Sequence, residues 1–130
     1  KSMAQPKRPI NVGFSDLLQF RWPITALTSI SHRVAGVVLF VAVGFMLFAL
    51  EQSLASEDAF NRLEGLLTSP IGKLVTWLIL AALAYHFVAG IKHLVMDGSD
   101  SESLEAGTRA AITTWIVSGI LMVLAALWVI

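Results

Sequence analysis

Cysteine is absent from the 130 residues, so neither a disulfide nor thiolate ligation of zinc or an iron–sulfur cluster can come from this chain. Any metal would have to be held by histidine or carboxylate. Charge is scarce as well: 14% of residues are Asp, Glu, Lys or Arg, against roughly 25% in soluble domains. The charges that exist cancel to a net of zero, which removes nucleic-acid binding as a candidate function. Residues 1–21 lack the apolar core and small-residue cleavage site of a secretory signal, being polar and carrying Pro6 and Pro9. They do not resemble a transit peptide either, and this fits a chain of the bacterial inner membrane.

What the chain has in abundance is apolar sequence, 56% of the total. It falls into three runs, about 34–50, 71–96 and 110–130. Each reaches the ~20 residues needed to cross a hydrocarbon core if the first extends back to about residue 28. The expected fold class is therefore all-α and integral to the membrane: a single anchor domain over 1–130, with spans at about 28–50, 71–96 and 110–130. Residues 1–23 form a cytoplasmic or interfacial segment. Within it, Phe14 to Phe20 is amphipathic and Trp22 suits the headgroup belt. Pro23 can sit in the first turn of a helix without losing a hydrogen bond, which predicts a start near Ile24 and an end near Ser53.

Residues 54–69 read as a weakly acidic loop, with Glu57, Asp58 and Glu64 against Arg62. Ser69-Pro70 is a helix start, serine capping and proline in the first helical position. The second helix is expected to run to about Met96 and to stop at Asp97-Gly98-Ser99-Asp100. Lys1, Lys7, Arg8, Arg21 and Arg33 lie before or at the start of the first span, whereas Arg62 and Lys73 flank the first loop. The excess of basic residues on cytoplasmic segments then places the N-terminus and the second loop inside and the C-terminus outside.

Two polar patches interrupt the apolar pattern and contain all three histidines. The first is Ser29-Ile30-Ser31-His32-Arg33. The second runs from His86 through Gly90, Lys92 and His93 to Asp97. Ionisable groups at membrane depth are costly and usually face a bundle interior, a cofactor or a proton path. The expected topology puts both patches on the cytoplasmic side, where residues about 60 apart in sequence could share one site.

Ser29, His32 and Arg33 are spaced i, i+3, i+4 and share a helix face. A hydroxyl, an imidazole and a guanidinium can hydrogen-bond a carbonyl or quinol oxygen, and the guanidinium can also pair with a carboxylate. Gly36 on the same stripe permits a close approach. His86 lies deeper, and its imidazole needs a partner there. Haem iron fits, with Gly90 one turn on clearing space for a porphyrin edge. His93 is seven residues further, ~10 Å along the axis, too far to share one iron with His86; together with Lys92 it suits propionates or headgroups. The competing reading is a structural or transport bundle without any cofactor, in which the histidines pack or relay protons.

Arg8-Pro9-Ile10, then Ser29-Ile30-Ser31-His32-Arg33-Val34-Ala35-Gly36, then His86-Phe87-Val88-Ala89-Gly90-Ile91-Lys92-His93-Leu94-Val95-Met96-Asp97 resemble the cytochrome b556 subunits of succinate dehydrogenase, the larger of the two membrane anchors of complex II. The resemblance covers nearly the whole chain. Two departures are mild, Ala35 where Ser or Thr is frequent and Lys92 where Arg is usual.

The resemblance implies His86 as one axial ligand of haem b, with the other ligand from a second small anchor subunit. It further implies Ser29 and Arg33 in a ubiquinone pocket, and His32, Arg33 and His93 around the haem propionates. The implied partners are that second anchor, an iron–sulfur subunit, a flavoprotein subunit and the lipid bilayer. An anchor of fumarate reductase or of another quinone-linked dehydrogenase would share these features.

Overall fold

The structure, a computed structural model, describes residues 23–98 and 103–130. The described residues are all helical apart from short connections. They form α1 (Ile24–Ala55), α2 (Glu57–Thr68), α3 (Pro70–Gly98) and α4 (Leu104–Val129). The expected interfacial segment at 14–20, Trp22, and part of the expected stop after Asp97 lie outside the described residues.

Helices α1, α3 and α4 are each long and apolar enough to cross a membrane. With 32, 29 and 26 residues, they extend about 48, 43 and 39 Å at ~1.5 Å per residue, more than a hydrocarbon core of ~30 Å requires. Each therefore carries about a turn or more into the headgroup region at one or both ends.

Local chemistry sets the ends. The Pro23 carbonyl accepts from the amides of Ala26 and Leu27 and opens α1. Ser69 Oγ accepts from the Gly72 amide at 3.1 Å, so serine caps α3 and Pro70 fills the first position, as the sequence predicts. Ser103 caps α4 in the same way through the Ala106 amide. Glu105 follows in the first turn, favourably placed at the helix dipole's positive end and paired with Arg109 at 2.8 Å.

Two expectations need correction. The segment expected as a loop at 54–69 is mostly the twelve-residue helix α2, capped by Ser56 Oγ accepting from Ala59 N. Its acidic residues Glu57 and Asp58 stand in the first turn, where they complement the positive end of the helix dipole. The third long helix begins at Leu104, not near 110, because a hydropathy run marks the lipid-crossing part of a helix and not its polar first turns.

The helices pack through small side chains. Ala35, Ala42, Gly72, Ala81, Ala89, Ala111, Thr114 and Ser118 are buried, while Phe40, Leu127 and Trp128 are among many large apolar residues left exposed. This inside-out pattern is what lipid favours, since large apolar groups gain nothing by leaving it and small ones let backbones approach. Among the described residues Tyr85 is the one large buried side chain, packed with Ala35 and Ala89. At the far end, α2 turns into α3 so tightly that a Cβ on Gly72 would collide with the Leu66 carbonyl.

Candidate functional site

The polar patches meet at one end of the bundle. The start of α1 lies beside the end of α3 and the start of α4: His32 packs on His86, and a Cβ on Gly107 would stand 3.6 Å from Thr25 Cγ2. The chain therefore runs up, down and up, and His32 and His86, 54 positions apart in sequence, are closed into one contact.

Within that contact the imidazole rings of His32 and His86 stack, with centroids 4.2 Å apart and planes 8° from parallel. His93 lies beside His32 at 5.2 Å and 55°. All three histidines thus form one cluster, with His32 in the middle and closer to His86 than spacing along either helix reveals. His86 Nδ1 lies 3.2 Å from the His32 carbonyl oxygen. A carbonyl only accepts, so Nδ1 is the donor in this contact, which in the neutral imidazole leaves the lone pair on Nε2.

Gly36 makes room for the arrangement: a Cβ there would stand 3.1 Å from His86 Cε1. Gly90 does the reciprocal service more loosely, with a notional Cβ 3.7 Å from His32 Nε2. It therefore faces the histidine of α1, where the sequence suggested a porphyrin edge.

The donor set decides what such a site can hold. Ring-nitrogen lone pairs lie in the ring plane, and the His32 and His86 planes are parallel and offset, so the two cannot converge on one ion between them. Among the described residues, no three His, Asp or Glu side chains are grouped as metal ligands. What the cluster does offer is one imidazole, oriented by a backbone carbonyl through Nδ1 and with Nε2 free. That is the usual arrangement of a metal-ligating histidine, and its chemistry is compatible with a haem iron.

Ser29 is half-buried and Arg33 exposed on the same end of α1, and neither side chain has a hydrogen-bond partner among the described residues. Lys92 is half-buried next to His93.

Three further residues build the site and carry no signal at the level of motifs. Thr28 is fully buried. Its Oγ1 donates to the Ile24 carbonyl at 2.7 Å and accepts from Trp115 Nε1 at 3.0 Å, and its carbonyl accepts from the Tyr85 hydroxyl at 2.8 Å. The Tyr85 and Trp115 rings pack at 4.8 Å. The one available hint is positional: Tyr85 and Thr28 each adjoin a patch residue, His86 and Ser29.

A three-span bundle with histidines gathered at one end is the frame of a membrane anchor, and its sequence places it in a defined class. Residues 5–127 match the family model of the succinate dehydrogenase/fumarate reductase transmembrane subunit, and the chain belongs to that family. Among its relatives is the succinate dehydrogenase cytochrome b556 subunit of Coxiella burnetii, 40% identical over 124 residues, or 95% of this chain and 97% of that one. Another is the subunit of the same name from Paracoccus denitrificans, 29% identical over 105 residues, or 78% and 81% of the two chains. Three apolar helices and this kinship make the chain a multi-pass membrane protein.

Proposed function

We propose that this chain is the haem b-binding anchor of a succinate:quinone oxidoreductase, helping to pass electrons from an iron–sulfur subunit to ubiquinone. The observation that carries the reading is the packing of His86 against the turn of α1 that bears Ser29 and Arg33. It brings a ligand-ready imidazole and a pair of free hydrogen-bond donors to one end of the bundle.

In this reading His86 would hold haem b through Nε2, and the second small anchor would provide the remaining protein ligand. Haem b, when bound, provides a one-electron redox centre within the membrane. Lys92, His93, His32 and Arg33 lie at the same end and supply cationic or hydrogen-bonding groups to propionates. The Ser29 hydroxyl and the Arg33 guanidinium donate to a carbonyl oxygen of the quinone, and they stabilise the negative charge that develops there as two electrons arrive. Two protons complete the quinol.

Sidedness follows from charge. Seven of the nine Lys and Arg residues (Lys1, Lys7, Arg8, Arg21, Arg33, Lys92 and Arg109) belong to the end that holds the histidines or precede α1, and only Arg62 and Lys73 to the other. That imbalance favours a cytoplasmic site in a bacterial inner membrane, where an iron–sulfur subunit and a flavoprotein subunit can dock.

The test is a split between two activities of the assembled complex. Ser29→Ala and Arg33→Leu are expected to lower succinate–quinone reduction by about tenfold or more, the effect of losing one charge-stabilising donor or more. Succinate oxidation by an artificial acceptor at the flavoprotein should persist. Equal loss of both activities, or loss of neither, overturns the assignment.

A further inference from the structure

Ser29 adjoins the most heavily tethered residue of α1. Three hydrogen bonds from the other long helices end on residues 28–32: Tyr85 on the Thr28 carbonyl, Trp115 on the Thr28 hydroxyl, and His86 on the His32 carbonyl. Further along, α1 meets its neighbours through small apolar residues such as Ala35 and Ala42, which resist sliding and rolling only by shape.

The Tyr85 and Trp115 bonds come from different helices and grip different atoms of Thr28. Anchored at one residue to both α3 and α4, α1 is restrained against axial slip and against roll. Roll matters most for the adjoining site. A side-chain tip ~5–6 Å from a helix axis moves by roughly 1 Å for a 10° roll, about twice the ~0.5 Å tolerance of a working binding site.

Resting on the reading of Ser29 and Arg33 as quinone contacts, we infer that Tyr85 and Trp115 are positioning residues for the quinone site. Acting through Thr28, they fix the roll of α1 and so aim Ser29 and Arg33. Neither touches the quinone. Their hydrogen bonds, more than their bulk, are what the site uses.

The experiment measures KM and kcat for ubiquinone, artificial-acceptor turnover and the reduced-minus-oxidised spectrum in the assembled complex. Trp115→Phe retains a ring against Tyr85 and removes the indole N–H together with part of the indole's bulk, which Thr28→Val controls for. Thr28→Val retains the shape and removes the hydroxyl, and Thr28→Ser restores it. Trp115→Phe and Thr28→Val are expected to raise the quinone KM by about 3- to 10-fold, the span a single inter-helix hydrogen bond can carry. Artificial-acceptor turnover and the b-type band should stay unchanged, and Thr28→Ser should stay within about twofold of the parent.

An unchanged quinone KM in Trp115→Phe and Thr28→Val overturns the inference. So does a Thr28→Ser variant as impaired as Thr28→Val, or a loss of assembly in all three variants, since each indicates that the node only holds the bundle together. Ser29→Ala separates the two levels. If it raises KM while Trp115→Phe does not, the quinone reading stands and the positioning role fails. If Ser29→Ala itself leaves KM unchanged, the quinone reading fails first.

Discussion

At the scale of residues, the site depends on an absent methyl group. With a notional Cβ on Gly36 only 3.1 Å from His86 Cε1, any side chain there presses on the imidazole. Gly36→Val adds two methyls more and is expected to displace the ring, at a cost of ~1–3 kcal/mol for overpacking, and to reduce the b-type absorbance per assembled complex. Gly90→Ala meets His32 at ordinary contact distance, 3.7 Å, and should leave the band intact. Equal effects of the two substitutions would mean that the glycines do not serve the imidazole in the way described.

The residues of the site were legible to different depths. Histidine, arginine and serine inside apolar runs stand out because membranes penalise them, so His86, His32, His93, Ser29 and Arg33 were all visible in the sequence. That His32 lies flat on His86 was not, because spacing along one helix says nothing about the angle at which another crosses it. Thr28, Tyr85 and Trp115 were hidden for another reason: Thr, Tyr and Trp are common enough near membrane interfaces that only their mutual hydrogen bonds distinguish them.

At the scale of elements, the helix ends carry the instruction that hydropathy misses. Ser69-Pro70 marks the start of α3, and Ser56 with Glu57 and Asp58 is an equally good start that hydropathy alone does not reveal. The segment has too little apolar sequence to resemble a span, and its twelve residues are stabilised by capping and by packing of Ala59 against the bundle.

The corner between α2 and α3 is correspondingly strict. Gly72→Ala drives a Cβ into the Leu66 backbone and is expected to destabilise the fold by ~1–3 kcal/mol or more, seen as a lower midpoint in thermal denaturation of the complex. Gly65→Ala on α2, with nothing within 4 Å of its added Cβ, should instead be neutral or stabilising by up to ~1 kcal/mol, since alanine is the better helix former. The exposed Glu105–Arg109 pair, with both side chains more than three-quarters accessible, contributes little. Arg109→Ala should cost no more than ~0.5 kcal/mol.

At the scale of the whole molecule, three antiparallel spans keep small residues inside and large ones outside, and this gross architecture was legible from composition and run length alone. The same arrangement explains why the chain offers a site that it does not complete. A bundle held by alanine, glycine, serine and threonine has little interior to enclose a porphyrin, and in the proposed reading its single oriented imidazole would leave the other protein ligand to a neighbouring chain. The two polar patches, far apart in sequence, become one surface at the end of the bundle that also carries Arg33, Lys92 and Arg109.

The most direct test of that account is the reduced-minus-oxidised spectrum of the complex assembled with His86→Ala. The account predicts that the b-type band is lost or shifted to a form with one protein ligand, while the subunits remain associated and succinate is still oxidised by an artificial acceptor. A b-type band that survives His86→Ala unchanged would contradict it.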